Sequence, residues 1–311
     1  MVSQSTFSHR IFREPPITCW ERKPRAQSPR NAWGKHTVEP YARPVAFERR
    51  SKLAYQDFMN VRGPFSPVHS KVDNTPMNPI RLVLFDITGT IIKDTSDMVR
   101  AMIMALRKNE ISVDERELRE WRGAAKRQVI CHFVGRQLGS TTDGRDQRID
   151  RIYDDFRSML EAEFESHPVV PIAGAEDAFA WLKKGGILMG TTTGYHRRLG
   201  DMLLQRAGWL DKFQATVGSD EVVLGRPAPF MIFRAMEATR VTRVSEVITV
   251  GDTPLDLQAG ANAGVRGIVG VLSGVHNAER LEQEPHTHIL SSVAELPAVI
   301  REYGVRSGYG S

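Results

Sequence analysis

Asp86, Thr88, Thr192, Thr193, Asp252 and Asp256 stand just beyond three short apolar runs, at 81–85, 186–191 and 247–251. They bring carboxylates and hydroxyls together. Acidic groups arriving from two separate segments suit a hard divalent cation held by oxygen ligands. Gly89, Gly194 and Gly251 beside them allow the backbone to turn sharply and to bring N–H groups toward an anion. Taken singly, Asp86 reads equally as a turn carboxylate, and Asp252 and Asp256 as caps of the helix that follows.

The elements that must position these residues are legible as alternating patterns. Buried strands are expected at 81–85, 186–191, 247–251 and 265–271, where short apolar runs end on Gly, Thr or Asp. Helical spacing falls between them, near 175–184, 196–207, 228–239 and 254–263. Strands alternating with helices predict a doubly wound α/β core with a parallel sheet. Ligands of such sheets bind beyond the carboxyl ends of the strands, where the residues above would lie. Between the first two strands, residues 96–168 read as helix, with segments near 97–109, 114–121, 124–138 and 146–165. That stretch is too long for one crossover helix and predicts an inserted all-helical cap. Cys131 and His132 read as cap packing.

Four segments now carry a resemblance. Phe85-Asp86-Ile87-Thr88-Gly89-Thr90, Thr192-Thr193-Gly194-Tyr195, Gly225-Arg226-Pro227-Ala228-Pro229 and Gly251-Asp252-Thr253-Pro254-Leu255-Asp256 resemble, in order, the four motifs of the haloacid dehalogenase superfamily. The resemblance covers roughly residues 80–300. It implies that Asp86 is a nucleophile toward phosphorus, that Thr193 contacts the phosphoryl oxygens, and that Arg226 supplies positive charge to them. Thr88, Gly89, Thr192 and Gly194 fall at the phosphate-binding positions. Magnesium, Mg2+, would be held by Asp86, Asp252 and the Thr88 carbonyl, with Asp256 assisting through hydrogen bonds or water. An aspartyl phosphate is an established covalent intermediate for such transfer.

Most phosphatases of that superfamily carry a second Asp where this chain has Thr88. That Asp protonates the leaving alkoxide, a contribution typically worth about 10²–10⁴ in rate. Phosphonoacetaldehyde hydrolases, or phosphonatases, have a small non-acidic residue there. They break a carbon–phosphorus bond with the help of a cap lysine that forms an imine with the substrate, in a Gly-x-x-Lys sequence. Gly123-Ala124-Ala125-Lys126 is similar to it, which makes Lys126 the candidate Schiff-base residue. The match departs at Val129, where phosphonatases have His, and at Arg122, where they have Met. The stretches 226–238 and 251–260 resemble the phosphonatase-like branch. The resemblance therefore implies a small phosphonate or phosphorylated metabolite as substrate, phosphonoacetaldehyde being favoured, and a homodimer. A phosphate-monoester phosphatase without an imine is the alternative, and a non-catalytic phosphate-binding or interaction module the second. Singly, Lys126 reads as a solvated helix lysine and Arg226 as a surface arginine.

The chain has 311 residues and a formal charge of +5. Thirteen basic and six acidic residues fall in positions 1–80, so the basic excess belongs to that segment and not to the folded body. Ten of the 17 prolines also lie before Ile80. Residues 1–78 are expected to be a disordered basic tail, 79–95 and 169–302 the core, 96–168 the cap, and 303–311 a short tail. Trp20, Trp33 and Tyr41 among the basic residues could touch nucleic acid, but a solvated tail is the expectation. Cys19 and Cys131 form no disulfide or metal-ligand framework, which suggests a reducing, cytoplasmic setting. An organellar presequence is the alternative reading of the tail. No apolar run is long enough to span a bilayer, so no membrane partner is expected.

Overall fold

The four residues of β1 (Leu82–Phe85) are all buried, as a strand covered on both faces requires. Val83 and Phe85 enter the larger apolar core and Leu82 and Leu84 the smaller one, following the period of two of an extended chain. A computed structural model of the chain describes residues 79–94, 97–139 and 144–304. The readings made for residues 1–78, Cys19 included, and for 305–311 lie outside the described residues.

Four helices follow β1: α1 (Asp97–Lys108), α2 (Glu115–Glu120), α3 (Lys126–Leu138) and α4 (Arg145–Ser166). They match the helical spacing read in the sequence. In α4, Ile149, Ile152, Phe156, Leu160 and Phe164 form one buried stripe at intervals of three and four. Cys131 is buried in the same core, and His132 bonds Glu117 at 2.7 Å. The chain then returns to the sheet through α5 (Ala175–Lys184), β2 (Leu188–Thr193), α6 (Arg197–Arg206), β3 (Ala215–Gly218), α7 (Phe230–Thr239), β4 (Val247–Gly251), α8 (Pro254–Ala263), β5 (Gly267–Val271), α9 (Ala278–Leu281), β6 (His288–Leu290) and α10 (Leu296–Glu302).

All six strands are parallel, in the order β3-β2-β1-β4-β5-β6. Helices α5, α6 and α10 pack into the larger core on one face, and α7 and α8 into the smaller core on the other. The connections reverse direction between β1 and β4, and that crevice is where doubly wound sheets hold ligands. Register makes the crevice a site: Phe85 pairs with Thr191 on one side and Val250 on the other. Asp86, Thr192 and Gly251 therefore leave the sheet at one level. Among the described residues no helix is long and apolar enough to cross a membrane.

Three details depart from expectation. β2 begins at Leu188, two residues later than the apolar run, because Gly186 and Ile187 still donate to carbonyls of α5. Edge strands β3 and β6 were not legible, being short and, in β6, only partly covered. Tyr303 packs against the core with the Arg266 guanidinium 5.2 Å from its ring centroid, so the folded part reaches past 302.

Phe179 ties the sheet to α5 by edge-on contacts with Phe85, Phe213 and Trp209 at 5.5, 5.3 and 5.1 Å. Its replacement by Ala leaves a cavity with no neighbouring side chain to fill it, and is expected to cost about 3–5 kcal/mol. Urea unfolding should show a lower midpoint with an unchanged slope.

Candidate active site

The turn after β1 is tight. Asp86 N donates to Val250 O at 2.8 Å, and Gly89 N to Ile92 O at 2.7 Å. Gly89 has a φ of 90°. A Cβ there would lie 2.4 Å from an Asp252 oxygen, so both the conformation and the space call for glycine. Asp252 follows β4 directly, and its oxygens accept from Thr90 Oγ1 at 3.4 Å and Val275 N at 3.3 Å.

Arg226 is the hub of the site and is 4% exposed. Its guanidinium donates to Asp86 at 2.8 Å, to Asp256 at 2.9 Å, and to the carbonyl and hydroxyl of Thr192 at 2.9 and 2.8 Å. Arg226 is thus no surface arginine. Thr192 faces Arg226, where its hydroxyl accepts a bond, and does not line the recess over Asp86. Asp256 gives one oxygen to Arg226 and the other to Thr253, at 2.5 Å from the hydroxyl and 3.2 Å from the N–H, closing the first turn of α8. These bonds orient Arg226 and cap α8.

The electrostatics follow from burial. Loss of water pushes the Asp86 carboxyl up to about 7 in spite of Arg226, with Asp256 adding to the rise. Asp252, 2% exposed, is driven well above the usual carboxylate range by burial and by the charges of Asp86 and Asp256. Burial opposes the charge on Arg226, but Asp256 and Asp86 outweigh it and hold that group above its ordinary value.

Above Asp86 lies a recess open to solvent, lined on the core side by Thr88, Thr193, Gly194, Tyr195 and Asp252 and on the cap side by Arg122, Gly123 and Lys126. Lys126, the first residue of α3, is 4% exposed and donates to Ala124 O at 2.9 Å. It is therefore not a solvated helix lysine. Its amine sits 5.3 Å from the Tyr195 ring centroid. Burial lowers it to about 8, with Arg226 and Arg122 acting in the same direction against Asp86 and Asp94. The Tyr195 hydroxyl is hydrogen-bonded to Thr88, and burial keeps this phenol neutral. Thr193 Oγ1 accepts from Tyr195 N at 3.2 Å. The cap turn meets the core at Gly194, where a Cβ would lie 2.7 Å from Gly123 O and 2.9 Å from Ala124 O.

The sequence profile of the haloacid dehalogenase-like hydrolases matches residues 80–264, more than half of the chain and all four motifs. The chain belongs to the haloacid dehalogenase-like hydrolase family. Among curated members of the family, a phosphonoacetaldehyde hydrolase of Latilactobacillus sakei is 28% identical over 262 residues, covering 73% of this chain and 97% of that one. Another, of Parabacteroides distasonis, is 31% identical over 169 residues, 53% of this chain. That alignment spans 62% of the relative's length, under two thirds of it. Among solved structures, a phosphonoacetaldehyde hydrolase-like protein of Oleispira antarctica superposes with a TM-score of 0.64 at 24% identity, over 78% of this chain and 99% of that one. A β-phosphoglucomutase of Clostridium difficile gives 0.58 at 18% identity, over 73% and 100%. Both share the fold.

Members of this family generally use magnesium, and two residues here suit it. Asp86 and Asp252 are buried carboxylates whose mutual repulsion leaves each short of positive charge, and oxygen ligands are what magnesium takes. Among the described residues no three His, Cys, Asp or Glu side chains form a ready ligand group. The pair would be completed by main-chain, water or substrate oxygens. Sequence reading gave no role to Tyr195 or Asp94. Tyr195 carried a signal, its place in the second motif, whereas Asp94 stands in a polar loop and carried none.

Two outcomes are expected. A carboxylate whose folded-state pKa is raised destabilises the fold as pH rises through the ordinary carboxylate range toward that value. Metal-free Asp252→Asn should therefore melt at or above the wild-type temperature at pH 7.5. Magnesium should stabilise the wild type by about 2.7 kcal/mol at a hundredfold excess over its Kd, and the variant much less. Calorimetry with and without EDTA separates the two signs. Gly194→Ala should lift the cap turn, and amide exchange at residues 124–127 should accelerate about tenfold or more while β1 amides stay protected.

Proposed function

We propose that this chain is a magnesium-dependent hydrolase that cleaves a small phosphonate through an aspartyl phosphate on Asp86, with phosphonoacetaldehyde as the favoured substrate. The carrying observation is a buried amine, Lys126, in the same recess as Asp86, Thr193 and Asp252, above a non-acidic Thr88. The name shared by the curated relatives points the same way.

The neutral Lys126 amine adds to the substrate aldehyde, and loss of water gives an iminium. Asp86 Oδ attacks phosphorus, the carbon–phosphorus bond breaks, and its electron pair moves onto the iminium nitrogen as an enamine. Arg226 holds the Asp86 carboxylate in line, while Thr193 and the turn amides receive the phosphoryl oxygens. A proton taken up at carbon restores the iminium, and water releases acetaldehyde and the lysine. A second water hydrolyses the aspartyl phosphate. Magnesium, held by Asp86, Asp252 and the Thr88 carbonyl, would neutralise carboxylate and phosphoryl charge so that the two can approach.

Imine formation needs the neutral amine, and burial has brought Lys126 down to about 8. The rate of trapping by borohydride should therefore rise with pH to a plateau whose midpoint lies near 8. Peptide mapping should place the adduct on Lys126, and Lys126→Arg should abolish it and lower turnover by at least about 10³-fold. Phosphate release from simple monoesters that survives Lys126→Arg, with no trapped adduct, would replace this reading with an ordinary phosphatase.

A further inference from the structure

We propose that the Arg122–Asp94 ion pair is a positioning device for Lys126, fastening the turn that opens α3 to the loop after β1 and setting the amine between opposite charges. The inference rests on Lys126 being the reactive amine. Asp94 belongs to the loop that leaves the sheet with Asp86, and Arg122 to the cap turn four residues before Lys126. Their side chains form a hydrogen-bonded ion pair between Arg122 Nη1 and Asp94 Oδ2. Both line the recess that contains Lys126, and Arg122 is only 8% exposed.

The position of the turn decides the position of the amine. Lys126 Nζ donates to Ala124 O, a carbonyl of that same turn, so the amine travels with it. The turn also approaches the core at Gly194, at Thr253 opposite Gly123 and at Gly225 opposite Ala125, in close appositions with no charge involved. Such a contact sets distance but not the field at the amine. The ion pair does both. A buried pair of this kind is weak evidence of added stability.

Charge completes the argument. The ionisable groups acting most strongly on Lys126 are Arg226 before α7, Asp86 after β1, Asp94 in the following loop and Arg122 in the cap turn; Asp252 after β4 lines the same recess, and the neutral Tyr195 ring lies beneath the amine. Asp86 and Arg226 bond each other at 2.8 Å. Arg122 and Asp94 are likewise a matched pair, acting on the amine in opposite directions. Along α3, the residue one turn past Lys126 is Val129, buried in the apolar core, so no titratable group there faces the amine. Removing either charge takes away its effect on Lys126: loss of Arg122 raises the amine and loss of Asp94 lowers it.

The test uses the full-length, magnesium-loaded protein with 13Cε-labelled lysine, Lys126 being assigned from Lys126→Arg. Arg122→Met should raise the Lys126 titration midpoint by about one pH unit or more, and Asp94→Asn should lower it by a similar amount. Arg122→Lys and the double variant Arg122→Met with Asp94→Asn should stay near wild type. Midpoints that move in the same direction in both single variants, or in neither while melting curves show them folded, overturn the proposal. If a single variant does not fold, the contrast between Arg122→Lys and the double variant decides it: a double variant displaced by one unit or more overturns the pair. Borohydride trapping run alongside separates the two readings. Midpoints that shift as stated in a protein that traps no aldehyde support the pair and refute the proposed substrate.

Discussion

Three carboxylates, Asp86, Asp252 and Asp256, converge at the carboxyl edge of a buried parallel sheet around one guanidinium, that of Arg226. Parallel register brings them together, because β1 and β4 end within one residue of the same level and each is followed at once by an aspartate. Like charges in a medium poorer in water than the surface repel strongly. The fold answers with Arg226, and Arg226 in turn depends on Thr192 at the end of β2 and on Asp256 in the first turn of α8. Strand order, helix capping and the motif before α7 are thus parts of one electrostatic arrangement. Burial first, and then the charges of Asp86 and Asp256, push Asp252 toward its neutral form, and a divalent cation beside it and Asp86 would offset that charge.

The cap acts on the same edge from the other side. Covering the recess removes water from both kinds of group at once, raising the acids and lowering the lysine. For the carboxylates this is a cost that a metal offsets. For Lys126 it is a gain, since an amine held near neutral pH reacts with carbonyls and a solvated one rarely does. The asymmetry lies in the counter-ions. Asp86 has Arg226 as a hydrogen-bonded partner, whereas Lys126 is bonded to a neutral carbonyl and stands over a neutral ring.

How much of this was legible depended on the range of the interaction that fixed it. The central strands announced themselves because burial on both faces demands continuous apolar residues, as in Leu82–Phe85. The edge strands β3 and β6 are stabilised by one neighbour each and carry no such run. Asp86, Asp252 and Thr193 were legible because they stand at strand ends. Thr192 was expected at the phosphate and Asp256 as an aid to the metal; their bonds to Arg226 were not legible, because that residue lies far away in sequence. The Arg122–Asp94 pair joins positions 28 residues apart across the cap boundary, and nothing periodic marks either member.

Thr88 brings these strands of argument together. In a hydrolase that releases an alkoxide, the residue two positions past the nucleophile must deliver a proton, and a threonine bonded to a neutral tyrosine does not do so near pH 7. A leaving carbon makes no such demand, provided its electron pair has somewhere to go, and under the proposed reaction an iminium on Lys126 would be that place. A non-acidic residue at 88 without a buried amine would leave an ester reaction short of its proton. A buried amine above an acidic residue at 88 would put a third ionisable carboxyl beside Asp86 and Asp252 and add to the repulsion already there. Under the proposed reaction each departure is the condition for the other. The Tyr195 ring that lies beneath Lys126 also carries the hydroxyl that occupies Thr88, so one side chain links the two halves of the exchange.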